Sequence, residues 1–232
     1  MKRRRFVQAC AASAAAATWP VASEGALVAR SFRRVKLVDE SGQPVKPEAL
    51  QPNTNYVFDY PFESTPCFLL RLDAPVAGGV ELKTEAGEAY RWNGGVGPGR
   101  DVVAYSAICA HKMTYPTKQV SFIGYRAEPS PTAPRGKVIS CCSDRSVYDP
   151  AAGARVVSGP APQPLATILL EQDPKTGELY AVGTFGGDKF DEFFRRFDFR
   201  LTLERGPRAK NEVEGTATVR PLERYSTQWA RC

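Results

Sequence analysis

The chain reads as short apolar runs separated by backbone breakers. Residues 55–58 and 67–72 are rich in β-formers and bounded by Pro, Gly and Asp, and residues 80–83 alternate as a half-buried strand does. Residues 101–106, 137–140, 165–171 and 178–182 continue the series, with a hairpin turn expected over 173–177 (DPKTG). Two loops stand out: residues 93–99 carry four glycines and a proline, and residues 129–136 carry three prolines. Only residues 189–197 show helical spacing, with Phe190, Phe193, Phe194 and Phe197 on one face. The polar tail to Cys232, broken by Pro207 and Pro221, reads as a wrapping extension. This pattern predicts an all-β sandwich or barrel with one helix packed on it. No internal repeat, phosphate-binding loop or dinucleotide fingerprint interrupts it.

Length and composition narrow the picture. A chain of 232 residues suffices for one core plus appendages, and 43% hydrophobic with 24% charged residues excludes a disordered or membrane-embedded chain. Of the net charge of +6, four charges sit on Lys2, Arg3, Arg4 and Arg5, and no basic patch interleaved with aromatics points to nucleic acid. An uncharged, Ala-rich stretch from 6 to 22 follows, then Glu24, which is the order of an export signal. The Arg pair before Phe6 resembles a twin-arginine signal, which exports already folded proteins to the periplasm. The stretch is weakly apolar and falls short of the ~20 residues of a secure span; cleavage near Ala22 and retention as a membrane anchor both stay open.

The six cysteines, Cys10, Cys67, Cys109, Cys141, Cys142 and Cys232, are too few and uneven for a disulfide scaffold, and two of them fall near informative partners. Val103-Ala104-Tyr105-Ser106-Ala107-Ile108-Cys109-Ala110-His111 contains the only histidine of the chain. It is followed by Cys141-Cys142-Ser143-Asp144-Arg145-Ser146-Val147-Tyr148-Asp149 and by Gly159-Pro160-Ala161-Pro162-Gln163-Pro164-Leu165. Over this middle third the chain resembles the Rieske iron–sulfur family, whose two loops supply C-x-H and C-x-x-H. The resemblance implies a [2Fe-2S] cluster with Cys109 and Cys141 on one iron and His111 on the other. It places Asp144 where the second histidine belongs. Neutral imidazoles raise the reduction potential of such centres; an anionic carboxylate, which can also ligate iron, would lower it. Ser146 and Tyr148 match positions that donate hydrogen bonds to cluster sulfur, and Pro160 falls in the proline loop that covers the cluster. The disulfide that clips the loops in many members would need cysteines at Thr114 and Ser143, so packing is expected to hold them here. In this, and in Cys109-Ala110-His111-Lys112, Ser146-Val147-Tyr148-Asp149-Pro150 and Tyr60-Pro61, the chain resembles the small Rieske subunit of arsenite oxidase more than the respiratory-complex subunits.

Three readings of the fourth position compete: Asp144 as ligand, Cys142 swinging in to make a three-cysteine site, and loss of the cluster with Asp144 capping the loop. On the first, Cys142→Ser changes little. The expected organisation is a signal or anchor over 1–23, a Rieske-like antiparallel β sandwich over 24–187 with a cluster lobe inserted at about 105–165, and a helix plus extension over 188–232. The implied role is one-electron transfer in the periplasm, within a larger oxidoreductase or to a cytochrome c, as an electron-transfer subunit with no catalytic residues of its own. The alternative is a non-redox assembly subunit with a degenerate, cluster-free fold. The pairing of Cys67 and Cys232 stays open.

Overall fold

The structure is a computed structural model that describes residues 29–232; the expected export signal and Cys10 lie outside the described residues. In chain order the elements are β1 (Arg30–Val38), β2 (Tyr56–Asp59), β3 (Pro66–Arg71), β4 (Ala77–Lys83), β5 (Ala89–Gly94), β6 (Val102–Ser106), β7 (Val120–Ser121), β8 (Ile123–Arg126), β9 (Val138–Cys141) and β10 (Val147–Asp149). They continue with β11 (Arg155–Ser158), β12 (Thr167–Gln172), β13 (Leu179–Phe185), α1 (Phe190–Arg205), β14 (Thr216–Thr218), β15 (Arg220–Pro221), α2 (Leu222–Tyr225) and β16 (Gln228–Trp229). Short one-turn helices fill some of the connections. Among the described residues no helix is long and apolar enough to cross a membrane.

Alternation along two central strands sorts side chains into two cores. Strand β3 is buried on both faces. Its Phe68 and Leu70, with Val103 and Tyr105 of β6, enter one cluster; Cys67 and Leu69, with Val102 and Ala104, enter another. Period-two geometry requires this division once both faces are covered. The second cluster fills the concave side of an eight-stranded sheet ordered β14-β1-β13-β12-β6-β3-β2-β15. The first lies between the opposite side and two smaller sheets: the β4–β5 hairpin, and β11-β10-β9-β8.

The large sheet is not one half of a sandwich. Residues 216–221 pair with both of its ends: β14 runs parallel to β1, with Leu37 opposite Ala217, and β15 runs antiparallel to β2, with Arg220 opposite Val57. The same stretch of tail therefore serves both edge strands and curls the sheet into a nearly closed barrel, which removes exposed edges. The parallel β1–β14 pair makes the sheet mixed rather than purely antiparallel. Pro221 sits at an end of this closure, where a missing N–H is tolerated.

The small four-stranded sheet leaves the barrel after Ser106 and rejoins it at Thr167, which pairs with Tyr105. Two polar contacts fix it to the barrel. Tyr105 Oη donates to Pro150 O at 2.7 Å, and the Asn55 side chain exchanges hydrogen bonds with the Tyr125 backbone at 2.6 and 2.5 Å. Helix α1 runs eight residues past the Phe197 limit expected from the sequence, because Leu201 continues the buried stripe one turn beyond Phe197 and Gly206 supplies the break. Its inner face packs against Ile108, Met113 and Tyr115, with Phe193 edge-on to Tyr115 at 4.9 Å. The helix thus backs the loop that follows β6.

Candidate metal centre

Two tight loops bring the sequence-derived candidates together. In the first, Cys109 N donates to Thr114 O and Met113 N to Cys109 O, both at 2.9 Å, with Met113 at a φ of 55°. In the second, Cys141 N donates to Ser146 O and Arg145 N to Cys141 O, both at 2.8 Å, with Arg145 at a φ of 63°. A left-handed backbone is unfavourable for these side chains, and the hydrogen bonds across each loop hold it. The second loop needs a neighbour without a side chain: a Cβ on Gly159 would lie 2.5 Å from Arg145 O and from Ser146 Cα.

The ligand atoms of Cys109, Cys141 and Asp144 lie within 4.8 Å of one another. The Asp144 carboxylate is used at both oxygens. Its Oδ1 accepts from Ser146 N at 2.9 Å, an Asx turn that shapes the loop. Its Oδ2 faces the pocket, 3.2 Å from Cys109 Sγ and 3.0 Å from His111 Nδ1. The Asp144 side chain is 1% exposed and that of His111 is 37% exposed. His111 lies outside the three-residue group and touches it through Asp144. Neither Arg145 nor Arg155 forms an ion pair with Asp144.

The charges around the pocket follow from these contacts. The hydrogen bond from Cys141 holds the Cys109 thiol below its usual range against the opposing effect of burial, and the Tyr148 hydroxyl and the amides of His111 and Lys112 add to it. The same bond, together with burial and the nearby Cys109 and Asp144 charges, pushes Cys141 up. Burial works to raise the Asp144 carboxyl, but the Ser146 amide and contacts from Cys109, Cys141 and His111 outweigh it and hold the group below the ordinary carboxylate range. Two thiols and a carboxylate converging on one pocket, with the His111 imidazole beside the carboxylate, form a set capable of coordinating a metal once the thiols ionise.

Tyr148 and Ser146 back the pocket. Tyr148 Oη is 3.3 Å from Cys109 Sγ and accepts from Ala110 N at 3.2 Å. Burial, reinforced by the Cys109 charge, raises the Tyr148 phenol, so it stays a neutral donor. Ser146 Oγ is buried with no hydrogen-bond partner among the described residues. A buried hydroxyl is seldom left unpaired, and this one lies beside a sulfur-rich pocket. The donor set can coordinate a metal, with a carboxylate that makes it atypical of a Rieske [2Fe-2S] site, and the orphaned hydroxyl is a spare donor on the same loop. Pro160 is exposed and follows Gly159, which rests on the second loop.

The three-cysteine reading is overturned. Cys142 is bonded to Cys232, with a Cα–Cα distance of 5.6 Å. Successive residues of an extended strand face opposite ways, so Cys141 at the end of β9 enters the pocket while Cys142 turns away from it. Cys142→Ser would break a covalent link, contrary to the expectation of little effect. The loops are accordingly not held by packing alone. Cys67 and Cys232 differ in fate: Cys67 is a buried free thiol, and burial raises it well above its usual range. Arg126 was missed as well; it donates to Ser140 Oγ at 2.7 Å and to Cys142 Sγ at 3.2 Å, either side of Cys141. An arginine within an apolar strand was the one available signal.

Tyr148→Phe removes the donor to Cys109 and leaves the Ala110 amide unpaired. We expect a loss of about 1–3 kcal/mol in denaturant unfolding, and an alkylation pH profile of Cys109 in metal-free protein moved to higher pH, since the thiolate loses a stabilising donor. An unmoved profile would show that the phenol does not act on the sulfur.

No protein-family model matches the sequence. Among solved structures the chain is similar to the soluble domain of Rieske protein II (soxF) from Sulfolobus acidocaldarius, at 29% identity over 68% of this chain and 82% of that one, with a TM-score of 0.45.

Proposed function

We propose that Cys109, His111, Cys141 and Asp144 hold a Rieske-type [2Fe-2S] cluster, and that the chain passes single electrons outside the cytoplasm, within a larger oxidoreductase or to a cytochrome c. The observation that carries this reading is Asp144 Oδ2, aimed between Cys109 Sγ and His111 Nδ1 from a side chain that is 1% exposed. When bound, the cluster would supply a one-electron store that these side chains alone lack. Cys109 and Cys141 would take one iron, His111 and Asp144 the other.

The chain's own groups set the properties of that site. Tyr148 donates toward Cys109 and disperses negative charge, which raises the potential; Ser146 offers a second donor whose hydroxyl is otherwise unpartnered. Asp144 works the other way, because a carboxylate favours the more positive, oxidised state. His111 is the exposed member and the natural point of contact for an electron partner. The rest of the site is buried, which excludes water from the sulfurs.

One observation favours the cluster-free alternative. The second loop closes on hydrogen bonds of its own, including Ser146 N to Asp144 Oδ1, so Asp144 also serves as a loop cap. Purified protein separates the two readings. Red-brown protein with two irons per chain supports electron transfer, and colourless, iron-free, folded protein from cells with intact cluster assembly supports the scaffold. Asp144→Ala should lose iron, because one iron would keep a single protein ligand. Asp144→His should retain iron, raise the reduction potential and make it fall more steeply with rising pH, since a second imidazole then loses a proton on oxidation.

We read the N-terminal segment as the export signal that delivers the folded chain to the periplasm. Replacing Arg4 and Arg5 by Lys should leave the protein in the cytoplasm, as fractionation would show; undiminished export of that variant would remove this part of the reading.

A further inference from the structure

The last seven residues lie along the lobe that carries both loops. Ser226 Oγ donates to Thr117 O at 2.6 Å, Thr227 N to Lys118 O at 2.9 Å, Gln228 N to Gln119 O at 3.0 Å and Ala230 N to Ser121 O at 2.9 Å. Strand β16 thereby pairs in parallel with β7, directly downstream of the first loop. The Trp229 indole rests on Gly124, where a Cβ would come within 2.8 Å of its nitrogen. The chain then ends at Cys232, bonded to Cys142, the residue after Cys141 in the second loop. The tail is thus tied to the exit of one loop by hydrogen bonds and to the other by a covalent bond.

Arg126 joins these parts at their centre. Its buried guanidinium donates to Ser140 Oγ and Cys142 Sγ on either side of Cys141, and to Ala230 O of the tail at 2.6 Å. It also lies over the Trp229 ring at 5.0 Å. A buried cation is costly when its acceptors leave. Freeing the tail therefore removes one acceptor from Arg126 and detaches the neighbour of Cys141 in the same event.

We propose that this tail is a latch on the metal centre: closure of the Cys142–Cys232 bridge and metal occupancy at Cys109 and Cys141 favour one another. The inference rests on the reading of the pocket as a metal site. By linkage, whatever factor the closed bridge adds to metal affinity, bound metal adds to the stability of the bridge. Opening the latch takes two electrons and two protons from a dithiol, whose sulfurs close into a disulfide as Cys142 and Cys232 become thiols. A bridge that only stiffens the fold would be equally hard to reduce with or without metal.

The test uses the wild-type protein, iron-loaded as isolated and stripped with a chelator, each equilibrated in dithiothreitol redox buffers. Alkylation and peptide mass then give the reduced fraction of Cys142 and Cys232. The latch predicts that bound metal shifts the equilibrium at least tenfold toward the closed bridge, about 30 mV for this two-electron couple. Reciprocally, Cys232→Ser should hold iron about tenfold less tightly than wild type when the two are equilibrated against a competing chelator. Equal midpoints in loaded and stripped protein, with equal iron affinity, would overturn the latch while leaving the metal site standing. Should Cys232→Ser fail to fold, the wild-type titration decides alone. Wild-type protein that takes no iron with its bridge closed defeats the metal reading, and the latch with it.

Discussion

The two oxygens of Asp144 do different work, and the pocket depends on that division. Oδ1 accepts from the Ser146 amide and fixes the turn that returns the chain to β10. With that oxygen held, Oδ2 has one direction left, into the space between Cys109 and His111. A histidine at the same place could not close the turn in this way. A carboxylate at this position therefore brings its own loop geometry with it, as well as a different charge, and Tyr148 on β10 is carried to Cys109 by the same turn. Burial acts against the charge of Asp144 and the donors around it win, so the group stays ionised and available as a ligand.

The barrel places this pocket at the end of a lobe that emerges between the paired strands β6 and β12. Helix α1 supports the first loop through Tyr115 and Met113, and Gly159 lets the chain after β11 lie close on the second. The tail completes the arrangement. Residues 216–221 close the barrel, and the residues beyond them bind the lobe. A bridge between positions 142 and 232 cross-links a separation of 90 residues, and a ring of that size removes on the order of 4–5 kcal/mol of unfolded-chain freedom. Barrel closure and loop support thus come from one continuous stretch of chain.

Much of this was legible because it is local. The β3 and β6 runs showed as apolar segments between breakers, and the Phe stripe at 190, 193, 194 and 197 announced α1. The resemblance of two short loops to the Rieske pattern singled out Cys109, Cys141 and Asp144, which the structure brings together, and His111, which it places beside Asp144. What escaped is non-local. No periodicity in Thr216-Ala217-Thr218 says that it pairs with β1 at the opposite end of the chain, so a sandwich was expected where a curled, mixed sheet is found. Cys142 was weighed as a ligand because adjacency to Cys141 is visible in a sequence, whereas its distance from Cys232 is not. The helix end was missed because Leu201, a turn past the last Phe, looks like any single apolar residue.

The central claim is that Asp144, and not a second imidazole or thiolate, completes a two-iron centre with Cys109, Cys141 and His111. Pulsed electron paramagnetic resonance on the reduced protein addresses it directly, because His111 is the only histidine in the chain. The account predicts a reduced-centre signal coupled strongly to one imidazole nitrogen, with the signal perturbed when Asp144 is replaced by Asn. A signal with no coupled nitrogen, or one that the Asn replacement leaves unchanged, would contradict it.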